Sequence, residues 1–331
     1  MTTMLQTLLA EDRPLLADGA TGTNLFGVGL ASGESPELWN ADHPDRIRAL
    51  HQAFVDAGSD IILTNSFGGN RRRLALHGAE ARARELNRLA AENARAVADK
   101  AVRPVVVAGS VGPTGDIFAP LGPLTEDEAV DVFAEQIDGL REGGADVVWI
   151  ETMSAAEEIS AAALAAARVG APFTVTASFD TAGRTMMGVA PAAFGALVGG
   201  FDPKPLAFGA NCGVGASDLL VSILAMSAAD QGAALIAKAN AGVPHWHGAE
   251  IHYSGTPELM ERYAALAVDC GARIVGGCCG NTPAHVAAIR RGLDTWRPGP
   301  RPDVERIVAA LGPLAAPPAA EGGGRRRRER T

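Results

Sequence analysis

The stretch GARIVGGCCGNTPAHVAAIR, residues 271–290, contains a strand, a loop and a helix start within one short segment. The run ARIV is typical of a strand that is buried on both faces. Thr282 followed by Pro283 is typical of a helix N-cap and the first helical position. Between them lie Cys278 and Cys279, which are flanked by glycine and cannot easily form a disulfide with each other. The segment therefore predicts two thiols at the carboxyl end of a strand.

The same order of strand, polar end and helix recurs along the chain. The strand segments are PLLADGATG, SDIILTNSFGG, PVVVAGSVGPTG, ADVVWIETMS, FTVTASFD, LAFGANCGVG, ALIAKANAG and ARIVGGCCG. The clearest helix follows Thr125, which forms a capping box pattern with Glu128. Eight such units predict an α/β protein with a (β/α)8 TIM barrel over residues 1–314, with polar groups collected at the carboxyl ends of the strands. A doubly wound sheet would need a G-x-G-x-x-G turn after an early strand, and DGATGTN does not supply one.

Composition and charge exclude several classes of protein. The chain has 331 residues, of which 47% are hydrophobic, as in a globular protein. Neither a signal peptide nor a membrane-spanning stretch is indicated, so a cytoplasmic location without a membrane partner is expected. The net charge is −9, and the tail at residues 315–331 carries +3, so the remainder carries −12. An acidic body argues against a nucleic-acid partner, and the tail is predicted to be a disordered basic segment. The oligomeric state is left open.

Three of the four cysteines lie at predicted strand ends. Cys212 follows the sixth strand, and Cys278 and Cys279 follow the eighth, so all three are expected at one mouth of the barrel. Three thiolates suit Zn²⁺ with one open position, although structural cysteines in a glycine-rich loop are the alternative. A zinc ion with three thiolates carries −1, which disfavours water activation and favours binding another sulfur as thiolate. The fourth, Cys270, is predicted to be a small buried hydrophobic residue.

Seven motifs together resemble the homocysteine S-methyltransferase family. They are ADGATGTNL, GSDIILTNSFGGN, GSVGPTG, IETMSAAEE, GANCGVG, KANAG and GGCCGNTPAH, and they extend from about Asp18 to about Arg290. The family includes betaine–homocysteine methyltransferase, S-methylmethionine-dependent enzymes and the N-terminal module of cobalamin-dependent methionine synthase. The resemblance implies a (β/α)8 barrel that makes methionine from homocysteine. It also implies Cys212, Cys278 and Cys279 as the zinc ligands and catalytic residues.

The resemblance further implies how the amino acid part of homocysteine is bound. Asp18 would face the substrate ammonium, and the amides of Gly19 and Ala20 would face its carboxylate. Glu151, at the end of the fourth strand, would be the second anchor of the ammonium, and Asn211 would orient the neighbouring loop. Without the resemblance, the favoured interpretations are that Asp18 is a turn residue and Glu151 a charge at a helix N-terminus.

The methyl donor is left open by the sequence, with glycine betaine favoured narrowly. A quaternary ammonium needs an aromatic cage, and candidates are Trp39, Trp149 and Phe67. Gly68 and Thr152 stand where mammalian betaine enzymes carry tyrosines, so this part is more similar to the methionine synthase module. The chain has no D-x-H-x-x-G cobalamin-binding pattern. The alternatives are S-methylmethionine and a separate methylcorrinoid protein, as in a split methionine synthase.

A different class of function is a zinc-binding barrel without catalysis, which the full set of predicted site residues argues against. A hydrolase is disfavoured because no Ser–His–Asp pattern stands out. His245, His247 and His252 could form a second metal site, but a polar loop over the barrel mouth is the favoured interpretation.

Overall fold

Eight parallel strands form one sheet in a computed structural model that describes residues 2–227, 233–247 and 250–315. The spatial order is β1, β10, β7, β6, β5, β4, β3, β2, and a parallel bridge between Ala17 and Ile61 joins the two ends. This confirms the (β/α)8 barrel. The strands are β1 (Leu15–Leu16), β2 (Ile61–Leu63), β3 (Val106–Val111), β4 (Val147–Met153), β5 (Phe173–Ala177), β6 (Ala207–Cys212), β7 (Ala234–Ala239) and β10 (Ala272–Gly277).

Helices follow the barrel strands and cover the sheet. Thr125 and Glu128 form the predicted capping box, and Thr256 and Thr282 are the N-caps of helices with proline in the first turn. The helices are α1 (Met4–Leu9), α2 (Gly22–Phe26), α3 (Trp39–Asp42), α4 (Pro44–Asp56), α5 (Arg71–Leu74), α6 (Ala83–Ala98), α7 (Glu126–Glu142), α8 (Ala156–Val169), α9 (Pro191–Gly199), α10 (Ala216–Ser227), α11 (Pro257–Asp269), α12 (Pro283–Thr295) and α13 (Val304–Leu311).

The barrel has one apolar cluster inside the strands and another between strands and helices. The inner cluster includes Trp149, Ile236 and Ile274, and α1 adds Leu5 and Leu8 to it. The outer cluster packs apolar helix faces onto the sheet. Such filling makes the barrel interior a packed core, so a ligand site is expected only at a mouth.

A two-stranded hairpin lies between β7 and α11, formed by β8 (Pro244–His247) and β9 (Glu250–Tyr253). The sequence predicts a polar loop here but not its two paired strands. The side chains of His245, His247 and His252 lie outside the described part of the structure, and so does the tail from residue 316. The boundary at residue 314 and the disorder of residues 315–331 stay predictions. Within the described ranges, no helix combines the length and apolar character that crossing a membrane requires.

His51 in α4 gives the fold a predicted pH dependence. Its side chain is buried, neither ring nitrogen has a partner among the described residues, and burial lowers its pKa from 6.5 to about 4. As the pH falls, His51 is protonated at a higher pH in the unfolded chain than in the folded chain. The contribution of His51 to stability is therefore fully present above pH 6.5. It is lost as the pH falls towards 4. On acidification, the free energy of unfolding of His51→Leu is expected to fall by about 3 kcal/mol less than that of the wild type.

Urea unfolding at pH 7 and pH 4.5 measures this effect. The control is His77→Leu, at an exposed histidine. Equal acid sensitivity of wild type and His51→Leu would show that His51 takes up its proton normally in the folded protein.

Candidate metal and substrate site

Three thiols converge where β6 and β10 end. Cys212 is the last residue of β6, and Cys278 and Cys279 directly follow β10. The Sγ atoms of Cys212 and Cys279 are 3.9 Å apart, and all three Sγ atoms lie within 4.8 Å of one another. Thiolates bound to one zinc ion at about 2.3 Å in tetrahedral geometry are roughly 3.8 Å apart, so the donor set fits zinc. Cys270 is fully buried at the C-cap of α11 and does not belong to this cluster.

Glycine allows two neighbouring thiols to be presented from one strand end. A Cβ atom at Gly277 would lie 2.4 Å from Cγ of Asn281, which leaves no space for a side chain. Gly280 has φ +78°, and a Cβ atom there would lie 2.3 Å from Cγ of Tyr253. Glycine has no Cβ atom and readily adopts a positive φ, so it fits at both positions. The backbone can therefore turn tightly around the cysteine pair.

Strained backbone marks the ends of β4 and β6. Cys212 has φ +61° and Thr152 has φ +60°, in the left-handed region that non-glycine residues seldom adopt. The Asn211 side chain holds the two ends together, since Oδ1 accepts from the Thr152 amide at 2.9 Å and Nδ2 donates to Thr152 Oγ1 at 2.7 Å. Nδ2 also lies 3.7 Å from Sγ of Cys278. Asn211 therefore links the two strand ends, and its role in orienting the loop stays a prediction.

A cavity of about 600 Å³ opens beside the cysteines. Its volume is in the range of small-molecule sites. Its lining includes polar groups from several strand ends together with apolar and charged side chains. Lining residues used below are Gly19, Ala20, Phe26, Phe67, Arg73, Ser110, Glu151, Lys238, Tyr253 and the three clustered cysteines.

Glu151 lies where the sequence placed it, on the cavity wall near the end of β4. It is 7% exposed, and its Oε1 accepts a short hydrogen bond from the Ser110 hydroxyl. Burial raises the pKa of Glu151 to about 7, although attraction to the Lys238 ammonium opposes that rise. A carboxylate that is poorly solvated and faces a cavity is suited to binding a cation.

Asp18 and Ala20 both have partners within the protein. Asp18 is 1% exposed and is not among the lining residues. Its Oδ1 accepts from Lys238 Nζ at 2.8 Å, and its Oδ2 accepts from the Leu63 amide at 2.7 Å. The Ala20 amide donates to the Asn281 carbonyl at 3.1 Å. The assignments of Asp18 to the substrate ammonium and of Ala20 to its carboxylate stay predictions, and the Gly19 amide has no acceptor in the described part of the chain.

Three further residues of the site were not singled out from the sequence. Lys238 interrupts the apolar run ALIAKANAG, which is the one signal that could have found it. Ser110 holds Glu151, and the Tyr253 side chain lies near the Cys279 sulfur. The pKa of Cys279 is lowered because the thiols of Cys212 and Cys278 donate to its thiolate, and the nearby Tyr253 side chain also favours the thiolate form.

Comparison with known proteins identifies a matching family and a related sequence. The sequence profile described as homocysteine S-methyltransferase matches residues 15–293. "Methionine synthase" of Mycobacterium leprae (strain TN) is 29% identical over 324 residues, which are 93% of this chain, and the chain spans 26% of that relative's length.

Solved structures of the Escherichia coli homocysteine methyltransferase MmuM are also similar. The metallated form gives a TM-score of 0.73 at 24% identity, which shows a shared fold. The oxidized form gives 0.72 at 25% identity. Both comparisons cover 86% of this chain and 98% of the other.

Proposed function

The chain belongs to the homocysteine S-methyltransferase family, and we propose that it makes methionine by methyl transfer to the sulfur of homocysteine. The observation that carries this proposal is the cluster of three thiols within 4.8 Å of one another, on the same cavity as Glu151. A cavity that joins a sulfur-rich end to a buried carboxylate matches a substrate with a thiol and an ammonium group.

Cys212, Cys278 and Cys279 would hold a zinc ion. When bound, zinc would supply a site at which the substrate thiol is held as thiolate at neutral pH. Asn211 and the side chain of Tyr253 restrain the cysteine sulfurs through the contacts described above. These contacts orient the ligands, as outer-shell partners do in other metal sites.

The other end of the substrate would be bound by residues on the cavity wall. The Glu151 carboxylate would accept from the substrate ammonium, and the free amide of Gly19 would donate to the substrate carboxylate. Charge-assisted hydrogen bonds of this kind fix both position and orientation. Orientation matters because the sulfur must approach the methyl carbon in line with the bond that breaks.

Glycine betaine is the donor that we propose. The thiol loses its proton to solvent, the sulfur electron pair forms the S–CH₃ bond, and the C–N electron pair leaves with dimethylglycine. Phe26, Phe67 and Arg73 line the cavity, so aromatic faces and a guanidinium are available for the donor's quaternary ammonium and carboxylate. Trp149 is fully buried inside the barrel and Trp39 is not a lining residue, so these two candidates for the cage are withdrawn.

A methylcorrinoid protein is the second candidate donor, and the similarity to the M. leprae methionine synthase over most of this chain favours it. The chain would then take the methyl group from a separate protein. S-methylmethionine is a third donor, and a barrel that binds zinc without catalysis is the alternative from another class. We place the enzyme in the cytoplasm, because its free thiols need a reducing compartment to bind metal.

The proposal is tested by an assay in which zinc-loaded protein and homocysteine are mixed with each of the three donors in turn. Methionine should form, and zinc-edge X-ray absorption should change from three sulfur neighbours to four when homocysteine is added. Binding should also release a proton, because the thiol enters as thiolate. Methionine formation with betaine supports the favoured donor. Four sulfurs before homocysteine, or no methionine with any donor, would overturn the catalytic interpretation.

A further inference from the structure

His285 uses both of its ring nitrogens in hydrogen bonds and so bridges two segments next to the cysteine cluster. It is the third residue of α12, and its Nδ1 lies 3.2 Å from the amide nitrogen of Thr282. Its Nε2 lies 3.0 Å from the carbonyl oxygen of Gly255, between β9 and α11. Because a backbone amide only donates and a carbonyl only accepts, Nδ1 accepts and Nε2 carries the proton. The imidazole therefore joins the start of α12 to the segment that follows the hairpin.

The hydrogen bond at Gly255 continues to the backbone of Cys279. The Gly255 amide donates to the Ala241 carbonyl at 2.7 Å, and the Ala241 amide donates to the Cys279 carbonyl at 3.0 Å. Three consecutive hydrogen bonds thus run from the His285 ring to a candidate zinc ligand. A Cβ atom at Gly255 would lie 2.4 Å from the carbonyl carbon of Ala241, so the two segments are in close contact. A displacement of Gly255 is therefore passed on, since no free space between the segments absorbs it.

The segment that His285 holds also carries Tyr253. The Tyr253 ring packs against Gly280, where a Cβ atom would lie 2.3 Å from Tyr253 Cγ, and the side chain lines the cavity. Tyr253 also interacts with the Cys279 sulfur. Only one residue separates Tyr253 from Gly255, so the bond to His285 fixes the backbone close to this side chain. His285 thereby restrains both the backbone and the surroundings of the Cys279 sulfur.

We infer that His285 is a positioning residue of the zinc site, which holds Tyr253 and the Cys279 backbone in place through Gly255. The inference rests on the proposed function, since it takes Cys279 as a zinc ligand. Glutamate or glutamine usually stands at this position of a capping box. A carboxylate there would accept from the Thr282 amide but could not donate to a carbonyl, and the second segment would stay unattached. The imidazole does both, as an outer-shell partner that also caps its own helix.

Two amide side chains of different length separate positioning from helix capping. His285→Asn keeps an oxygen near the place of Nδ1 and so retains the cap, but it is too short to reach Gly255. We expect its zinc Kd to rise roughly 10- to 100-fold. His285→Gln reaches as far as Nε2 and should bind zinc as tightly as the wild type. Competition with a chromophoric chelator on the full-length protein gives the Kd values. Thr125→Ala, which removes the N-cap of α7, should lower stability and leave the zinc Kd unchanged.

A double-mutant cycle with Tyr253→Phe tests the path through Tyr253. We expect Tyr253→Phe to weaken zinc binding, and His285→Asn to weaken it less in that background than in the wild type. Wild-type zinc affinity in His285→Asn, equal losses in the two amide variants, or fully additive losses in the cycle would overturn the inference. If His285→Asn does not fold, wild-type affinity in Tyr253→Phe overturns it instead. These results leave the proposed function intact if the wild type binds zinc and methylates homocysteine. Failure of the wild type to bind zinc would instead refute the proposed ligand set, and this inference with it.

Discussion

Cys279→Ala is expected to fold as a barrel, to lose zinc and to have no measurable methyl transfer. The Cys279 sulfur lies 3.9 Å from that of Cys212 and is one of only three candidate ligands in the described cluster. Removing an outer-shell partner typically costs 10- to 100-fold in metal affinity, so losing a direct ligand should cost more than about 100-fold. The substrate thiol would then no longer be held as thiolate, and catalysis should be lost together with the metal. Elemental analysis measures the zinc content, circular dichroism measures the fold, and methionine formation measures methyl transfer.

Cys270→Ala is the matched control. Cys270 is buried in the outer apolar cluster and does not belong to the group of three thiols within 4.8 Å of one another, so it is not placed to bind the same ion. This variant should keep full zinc, with only a loss of stability from the small cavity. Full zinc and full activity in Cys279→Ala, or zinc loss in Cys270→Ala, would show that the ligand set is wrong.

Glu151→Gln is expected to weaken homocysteine binding about 10- to 100-fold and to leave zinc content unchanged. The reason is that a glutamine amide offers the substrate ammonium only a neutral acceptor, so the attraction between opposite charges is lost, and a hydrogen bond to a charged group contributes about 1.5–3 kcal/mol. The Ser110 contact holds the carboxyl group on the cavity wall, and Glu151 is not one of the three clustered candidate ligands. Calorimetry with homocysteine measures the loss, with Glu157→Gln, at an exposed glutamate, as the control.

The same substitution predicts a change in pH dependence. The pKa of Glu151 is raised to about 7, so the carboxyl group is largely protonated at pH 6 and largely ionised at pH 8. Homocysteine affinity of the wild type should therefore rise over this range more steeply than that of Glu151→Gln. Ionisation of the substrate thiol contributes equally to both proteins and cancels in the comparison. Parallel pH profiles, or an unchanged affinity in Glu151→Gln, would remove Glu151 from the ammonium site.

Local patterns in the sequence determined the elements of the fold. A continuous apolar run predicts a buried strand, and the Thr125 and Glu128 pair predicts a helix start, because both depend on residues within a few positions of each other. The gathering of Cys212, Cys278 and Cys279 also followed from the sequence, since strand ends of a barrel share one mouth. The hairpin of β8 and β9 was missed because its pairing gives a weaker pattern than a buried strand does.

Contacts between distant residues were decided only by the tertiary structure. Asp18 was correctly placed at a strand end, but its partner Lys238 is 220 positions away, and only the register between strands brings the two together. The Ala20 amide is likewise occupied by a carbonyl from the loop after β10. A sequence pattern shows that a polar group lies at the mouth. Which donor it meets there depends on the closure of the barrel, because a buried carboxylate binds the nearest cation that the fold supplies, whether that cation is a substrate or a lysine.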